Sequence, residues 1–258
     1  MIGDIVGKPG RRAVGALVPA LRRDLALDAV IANGENAAGG RGLTPGTCGE
    51  IFSAGVDVIT SGNHIWAQRE IIPYLESEAR VVRPGNYPQG APGRGIVRFG
   101  ALTVINLMGR TFMYEIDDPF RAADRLLEDV APGTPVVVDM HAEATSEKTA
   151  MAWYLDGRVS AVIGTHTHVP TADARVLPRG TAFVCDAGMC GPRDSIIGVQ
   201  VEAVVQKFLT GMPARFPVAD DSPTVQFNSV LVDVDDATGN ARSIERVDRE
   251  WERNAKQG

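Results

Sequence analysis

The 258 residues carry 44% apolar and 22% charged side chains, proportions of an ordinary globular chain that exclude a disordered one. A formal charge of −6 and an isoelectric point near 5.3 leave no basic surface for the phosphates of long nucleic acid, and no apolar run approaches the ~20 residues that span a bilayer. Cys48, Cys185 and Cys190 form no C-x-x-C pair, so neither a disulfide framework nor a thiolate zinc site is expected, and a cytoplasmic enzyme with a small substrate is the default reading.

Only three residues precede Asp4, fewer than the ~5–6 of a usual strand, so the first strand reads as clipped. Beyond it, short β-branched runs alternate with amphipathic segments, the pattern of strands connected through helices in an α/β fold. Strands are expected at 30–32 and 56–60, with a helix from Pro45 to about Ala54 between them. Thr44 can accept from the free amides of that helix's first turn, and Pro45 at the first position loses nothing by lacking an N–H. Further strands are predicted at 81–82, 96–99 and 102–107, then a helix over 120–129 opened by Pro119. A strand at 136–140 leads to a helix over 147–155 capped by Ser146, followed by strands at 161–164 and 181–185. The stretch 186–194, with Gly188, Gly191 and Pro192, reads as a long irregular segment that walls a pocket or meets another subunit. A helix over 199–209 stops at Gly211-Met212-Pro213. Strands at 226–234 and 241–247, with the alternation of Val230, Val232 and Val234 and a turn at 237–240, predict an antiparallel hairpin and hence mixed sheets. One domain is expected over residues 1–258.

The chain has four histidines, His64, His141, His166 and His168, and each follows on a predicted strand. Ligands of open α/β sheets bind beyond the carboxyl ends of the strands, where loops converge. Asp4 follows the first strand, Glu35 and Asn36 follow the second, and Asn63 precedes His64. Taken singly these residues have plain explanations, since an Asp after a strand or Asn33-Gly34 is ordinary turn chemistry. His166-Thr167-His168 is more specific, because histidines one residue apart point to the same side of an extended segment. Joint placement at five strand ends favours a metal site. Asp4, Glu35, Asn36, Asn63, His141, His166 and His168 are nitrogen and oxygen donors that suit first-row metals such as Mn, Fe or Zn. Seven donors exceed what one small ion takes, and two ions bridged by a carboxylate, with a water between them, account for the number. Lys8, Arg11, Arg41, Arg110 and Lys148 read equally as phosphate contacts or as solvated surface. Gly39-Gly40-Arg41-Gly42 lacks the Gly-Lys-Ser/Thr ending of a nucleotide phosphate loop and reads as a flexible approach to the site.

Gly62-Asn63-His64 and His166-Thr167-His168 resemble the third and last signatures of the calcineurin-like metallophosphoesterases. Longer runs are similar to the YmdB-type branch over essentially the whole chain: residues 3–11, Asn33-Gly34-Glu35-Asn36-Ala37, residues 141–148 and residues 164–173. Where the superfamily has D-x-H this sequence has Asp4-Ile5-Val6, and Val6 cannot ligate. Glu35 replaces the usual bridging aspartate, and Ile65 stands where an acid commonly follows G-N-H. The resemblance implies one metal held by Asp4, Glu35, Asn36 and His168 and another held by Glu35, Asn63, His141 and His166. It also implies a four-layer sandwich of two mixed β-sheets flanked by helices, two transition-metal ions per chain with Fe or Mn favoured, and hydrolysis of a small phosphodiester, 2′,3′-cyclic nucleotides being the usual assignment. Two carboxylates and a bridging hydroxide against two divalent ions leave a formal charge of about +1, suited to a phosphodiester anion. The hydroxide is then the nucleophile. His64 is expected to protonate the leaving oxygen, or else to donate a hydrogen bond behind the ligands. A phosphomonoesterase, either a nucleotidase or a phosphoprotein phosphatase, and a regulatory metal-binding protein acting through partners are the competing readings. No membrane partner is expected, and a homo-oligomer stays open.

Overall fold

A computed structural model describes residues 1–253. Its elements in the first half are β1 (Asp4–Ile5), α1 (Gly7–Asp24), β2 (Ile31–Asn33), α2 (Pro45–Ser53), β3 (Val58–Thr60), α3 (Ile71–Ser77), β4 (Ile96–Phe99), β5 (Leu102–Met108) and α4 (Pro119–Leu127). There follow β6 (Val136–His141), α5 (Thr145–Leu155), β7 (Ala161–Thr165), β8 (Arg175–Val176), β9 (Ala182–Val184), β10 (Met189–Pro192), α6 (Val201–Thr210), β11 (Thr224–Phe227), β12 (Val230–Val234), β13 (Ala241–Arg246) and β14 (Arg249–Glu252).

Two mixed sheets result. In the first, β1 lies parallel to β10, while β11 is antiparallel to both β10 and β14. Ile2 bridges Ala32 of β2 in parallel, and β2 runs parallel to β3 with Asn33 opposite Thr60. The second sheet has the order β4-β5-β6-β7-β9-β8, parallel from β5 to β9 and antiparallel at both edges. Its central strands β6 and β7 are buried throughout, as expected for parallel strands covered on both faces. The β12–β13 hairpin packs beside β8 and β9.

The cores give the layering. Ile31, Val58 and Val82 meet Val104, Val137, Ile163 and Val184 between the sheets. Ala13, Val14 and Val18 of α1, with Cys48 and Ile51 of α2, cover the outer face of the first sheet. Ala122 and Ala123 of α4, with Met151, Ala152 and Leu155 of α5, cover the outer face of the second. The arrangement is the expected four-layer sandwich, helices outside two mixed sheets, and each fully buried Leu, Ile or Val contributes about 1.5–3 kcal/mol to holding it. Among the described residues no helix is long and apolar enough to cross a membrane.

Several boundaries differ from expectation for physical reasons. The strand predicted at 226–234 is two strands, because Asn228 and Ser229 satisfy the backbone at a crossing between sheets: the Met189 amide donates to Asn228 Oδ1 at 3.3 Å, and Ser229 Oγ donates to the Val247 carbonyl at 2.6 Å. The stretch 186–194 contains the buried strand β10 rather than only irregular chain. Val81 makes a single bridge to Ile59 instead of a strand. Ser146 does not cap α5, since the helix already begins at Thr145 after an extended Ala144. Thr44 does cap α2, accepting from the Thr47 amide at 3.2 Å. Helices α1 and α3 and strands β8 and β14 stand where no element was predicted.

Candidate metal centre

Every predicted site residue lies within or just after a parallel strand. Asp4 lies in β1, Glu35 and Asn36 follow β2, Asn63 and His64 follow β3, His141 closes β6, and His166 and His168 follow β7. The first sheet thus supplies the carboxylates and amides together with His64, the second supplies the other histidines, and the ends meet. Gly62 is needed there for close approach, because a Cβ on it would strike the His141 ring and the Glu35 carboxylate.

The contacts fall into two halves joined by Glu35. In one, His141 Nε2 lies 3.2 Å from Glu35 Oε2, 3.0 Å from Asn63 Oδ1 and 3.1 Å from His166 Nδ1. In the other, Asn36 Nδ2 lies 3.2 Å from Glu35 Oε1 and 3.0 Å from His168 Nε2, which is 3.8 Å from Asp4 Oδ1. His64 Nδ1 stands 2.9 Å from Asn36 Oδ1 and 3.4 Å from Glu35 Oε1. Asn36 therefore aims its nitrogen at His168, and a ligand role for it requires the amide turned over.

A surrounding layer of polar groups fixes the rings. Thr165 Oγ1 donates to Asp139 Oδ1 at 2.6 Å and stands 2.9 Å from His141 Nδ1. With its proton committed to Asp139, Thr165 can only accept from Nδ1–H, so His141 presents Nε2 to the centre. Asp139 is itself held by Asn33 Nδ2 at 3.0 Å and Thr60 Oγ1 at 2.5 Å. His168 Nδ1 donates to the Ile197 carbonyl at 2.8 Å, which leaves Nε2 inward. His166 Nε2 pairs with Glu143 Oε2 at 3.1 Å, which leaves Nδ1 inward.

The His166-Thr167-His168 segment corrects one expectation. It is not extended: His166 and His168 have φ of 99° and 65°, the left-handed region that non-glycine residues adopt only when surroundings hold them there. The hold is visible. Asp4 Oδ2 accepts from the His166 amide at 3.1 Å, and Asp186 Oδ2 accepts from the Thr167 amide at 3.1 Å and its hydroxyl at 2.8 Å. Asp186 Oδ2 also takes Lys148 Nζ at 2.8 Å. The two rings consequently serve opposite halves of the centre rather than sharing one side of a strand.

Burial and mutual charge shape the titrations. Burial pushes the Asp4 carboxyl up to about 7. Burial would also raise Glu35, but His141 and His64 beside it hold it well below the usual carboxylate range. Burial acts against a charged His141, yet the Glu35 carboxylate overrides it and lifts the imidazole to about 9. His166 is lowered to about 3 by burial and by His141, and burial lowers His64 as well.

Of the five basic residues noted in the sequence, Lys148 is neither a phosphate contact nor surface, being wholly buried on Asp186. Arg11 pairs with Glu50 at 2.6 Å, Arg110 with Asp118 at 2.8 Å, and Lys8 is exposed. Arg41 alone lines the cleft beside His64. Sequence reasoning missed Asp139, Glu143, Thr165 and Asp186. Asp139 had a signal, an acid inside the apolar run Val136-Val137-Val138-Asp139-Met140, because a buried carboxylate in a strand demands partners. All three cysteines are buried and free.

Donor chemistry fits metal ions. Glu35, His141 and His166 offer ligand atoms all within 4.8 Å of one another. Asp4 Oδ1 is buried with no hydrogen-bond partner among the described residues, a cost that a cation would remove.

Comparison with known proteins gives concordant results. Residues 1–247 match the family described as YmdB-like protein. The 2′,3′-cyclic-nucleotide 2′-phosphodiesterase of Bacillus subtilis is 49% identical over 251 residues, 95% of this chain and 94% of its own. A hypothetical protein of Thermus thermophilus superposes with a TM-score of 0.90 at 48% identity, covering 96% of this chain and 97% of the other. A phosphatase from Mycoplasma pneumoniae superposes with a TM-score of 0.90 at 33% identity, covering 97% and 92%.

Proposed function

Because this chain belongs to the YmdB-like protein family, we propose that it is a dinuclear metal-dependent phosphodiesterase that opens 2′,3′-cyclic nucleotides. The observation that carries the reading is the convergence of eight predicted side chains at the ends of β1, β2, β3, β6 and β7, on a chain 49% identical to the Bacillus subtilis enzyme. Asp4, Glu35, Asn36 and His168 would hold one ion, and Glu35, Asn63, His141 and His166 the other. Nitrogen and oxygen donors favour Fe or Mn. Bound ions would supply positive charge against the phosphodiester anion and water made nucleophilic near neutral pH.

The chain's own groups do the rest. Opening the ring forms one bond from phosphorus to a water oxygen and breaks one bond from phosphorus to a ribose oxygen, which departs needing a proton. His64 delivers it as the imidazolium: Nδ1–H lies against Glu35 Oε1 at 3.4 Å, so the proton given up is the one on Nε2. Asp139 and Thr165 keep His141 in one orientation, and Asp186 keeps the His166 and His168 backbone in its left-handed shape.

Metal-reconstituted protein should open 2′,3′-cyclic nucleotides in preference to 3′,5′-cyclic nucleotides and phosphomonoesters. Turnover of monoesters alone would overturn the proposal in favour of a phosphomonoesterase, the reading supported by the 33% identical Mycoplasma pneumoniae phosphatase.

A further inference from the structure

Past His64 the centre opens into a cleft of about 600 Å³, within the ~300–1,000 Å³ typical of small-molecule sites. Asn63 and His64 form its inner end, and Arg41, Trp66, Tyr87 and Tyr114 form its walls. A cyclic phosphate needs only the inner end. The remaining lining brings Trp66, Tyr87 and Tyr114 together with the cation of Arg41 and the carboxylate of Glu115, flat rings and polar groups suited to a heterocycle that stacks and hydrogen-bonds.

The aromatic wall is built rather than incidental. Trp66 and Tyr87 pack edge to face, with ring centroids 5.4 Å apart at 72°. The loop carrying Tyr114 is tied at both feet by the buried Asn86, which adjoins Tyr87 in sequence. Asn86 Nδ2 donates to the Met108 and Asp117 carbonyls at 2.7 and 2.9 Å, and its Oδ1 accepts from the Met108 amide at 2.9 Å. Glu147 Oε1 accepts from the Arg110 amide at 3.0 Å, and its Oε2 accepts from the Thr111 amide at 3.1 Å. A stem fixed this firmly still leaves Tyr114 half-exposed. Arg41 is positioned through its carbonyl, which accepts from Gln68 Nε2 at 2.9 Å, and among the described residues its guanidinium has no carboxylate partner.

We propose that this cleft is the nucleobase subsite: the base of a nucleotide lies against Tyr87 and Tyr114, Arg41 faces it, and the ribose spans to His64. The subsite rests on the phosphodiesterase reading for the chemistry at its inner end, whereas nucleoside binding there needs no turnover.

The test compares adenosine 2′,3′-cyclic phosphate with methyl riboside 2′,3′-cyclic phosphate, which keeps the ring to be opened and lacks the base, alongside calorimetric binding of adenosine against ribose. Base stacking on aromatic side chains predicts that the wild type favours the nucleotide in kcat/KM by about 10-fold or more. Tyr114→Ala should remove most of that preference through KM, and Tyr114→Phe should restore it. Equal kcat/KM for the two cyclic phosphates, with adenosine binding no better than ribose, would overturn the subsite and leave the phosphodiesterase standing. Adenosine binding that weakens in Tyr114→Ala, in a protein that opens neither cyclic phosphate, would support the subsite while the phosphodiesterase reading fails.

Discussion

Replacing Lys148 by Met tests what holds the loop that carries His166 and His168. Lys148 and Asp186 are 0% and 1% exposed and 2.8 Å apart, so neither charge is shared with solvent. Removing one partner of a buried pair leaves the other charge uncompensated, at a cost of about 3–5 kcal/mol. Asp186 keeps Thr167 N–H, Thr167 O–H and Gly188 N–H as donors, which places the loss near the lower end, about 3 kcal/mol. For a chain of this size that is a fall in Tm of about 6–12 °C.

The assay is a double-mutant cycle by thermal and urea unfolding. Asp186→Asn should cost a similar amount, because it strands the buried ammonium while keeping an oxygen for Thr167. Lys148→Met combined with Asp186→Asn should recover at least half of the single loss, since a neutral, hydrogen-bonded replacement of a buried pair is often close to neutral overall. Losses that simply add, or a Lys148→Met protein whose Tm barely moves, would refute the assignment of this pair as the anchor of the loop.

Three further outcomes bear on the centre itself. Elemental analysis of protein reconstituted with Mn or Fe should find about two ions per chain if the proposed dinuclear reading holds; one ion or none would remove it. Metal titrations should show Glu35→Gln weakening binding more than Asn36→Ala, because only the carboxylate joins the two halves and supplies charge; equal affinity would take Glu35 out of the bridge. His64→Ala should retain both metals and slow opening of a poor leaving group by about 10²–10⁴-fold, with a smaller loss for a nitrophenyl ester that needs little protonation; equal slowing of both would move His64 from proton donor to positioning group, and lost metal would put it among the ligands.

The gathering of the candidate ligands was legible because its signals are local. A carboxylate, amide or imidazole directly after a β-branched run marks a strand end, and parallel strands gather their ends on one edge, so Asp4, Glu35, Asn63 and His141 could be grouped without knowing the sheet order. What supports them was not legible, because it is long-range: Asn33 reaches Asp139 across 106 positions, and Lys148 finds Asp186 across 38. The fold divides the same way. Helix α2 shows itself through Thr44 and Pro45, whereas α1 begins at Gly7 and contains Pro9, Gly10, Gly15 and Pro19, residues whose intrinsic preference opposes a helix. It forms because Val14 and Val18, four apart, share the face buried on the first sheet, and tertiary burial outweighs propensity. Strand β10 is the same case, with Gly191 and Pro192 in a segment that no β-propensity would select. Gly191 is admitted because a Cβ there would press on Val6, next to the strand that carries Asp4. Two of the weakest local signals in the chain therefore belong to α1 and β10, the elements that clamp β1, and the carboxylate most in need of a cation stands on that strand.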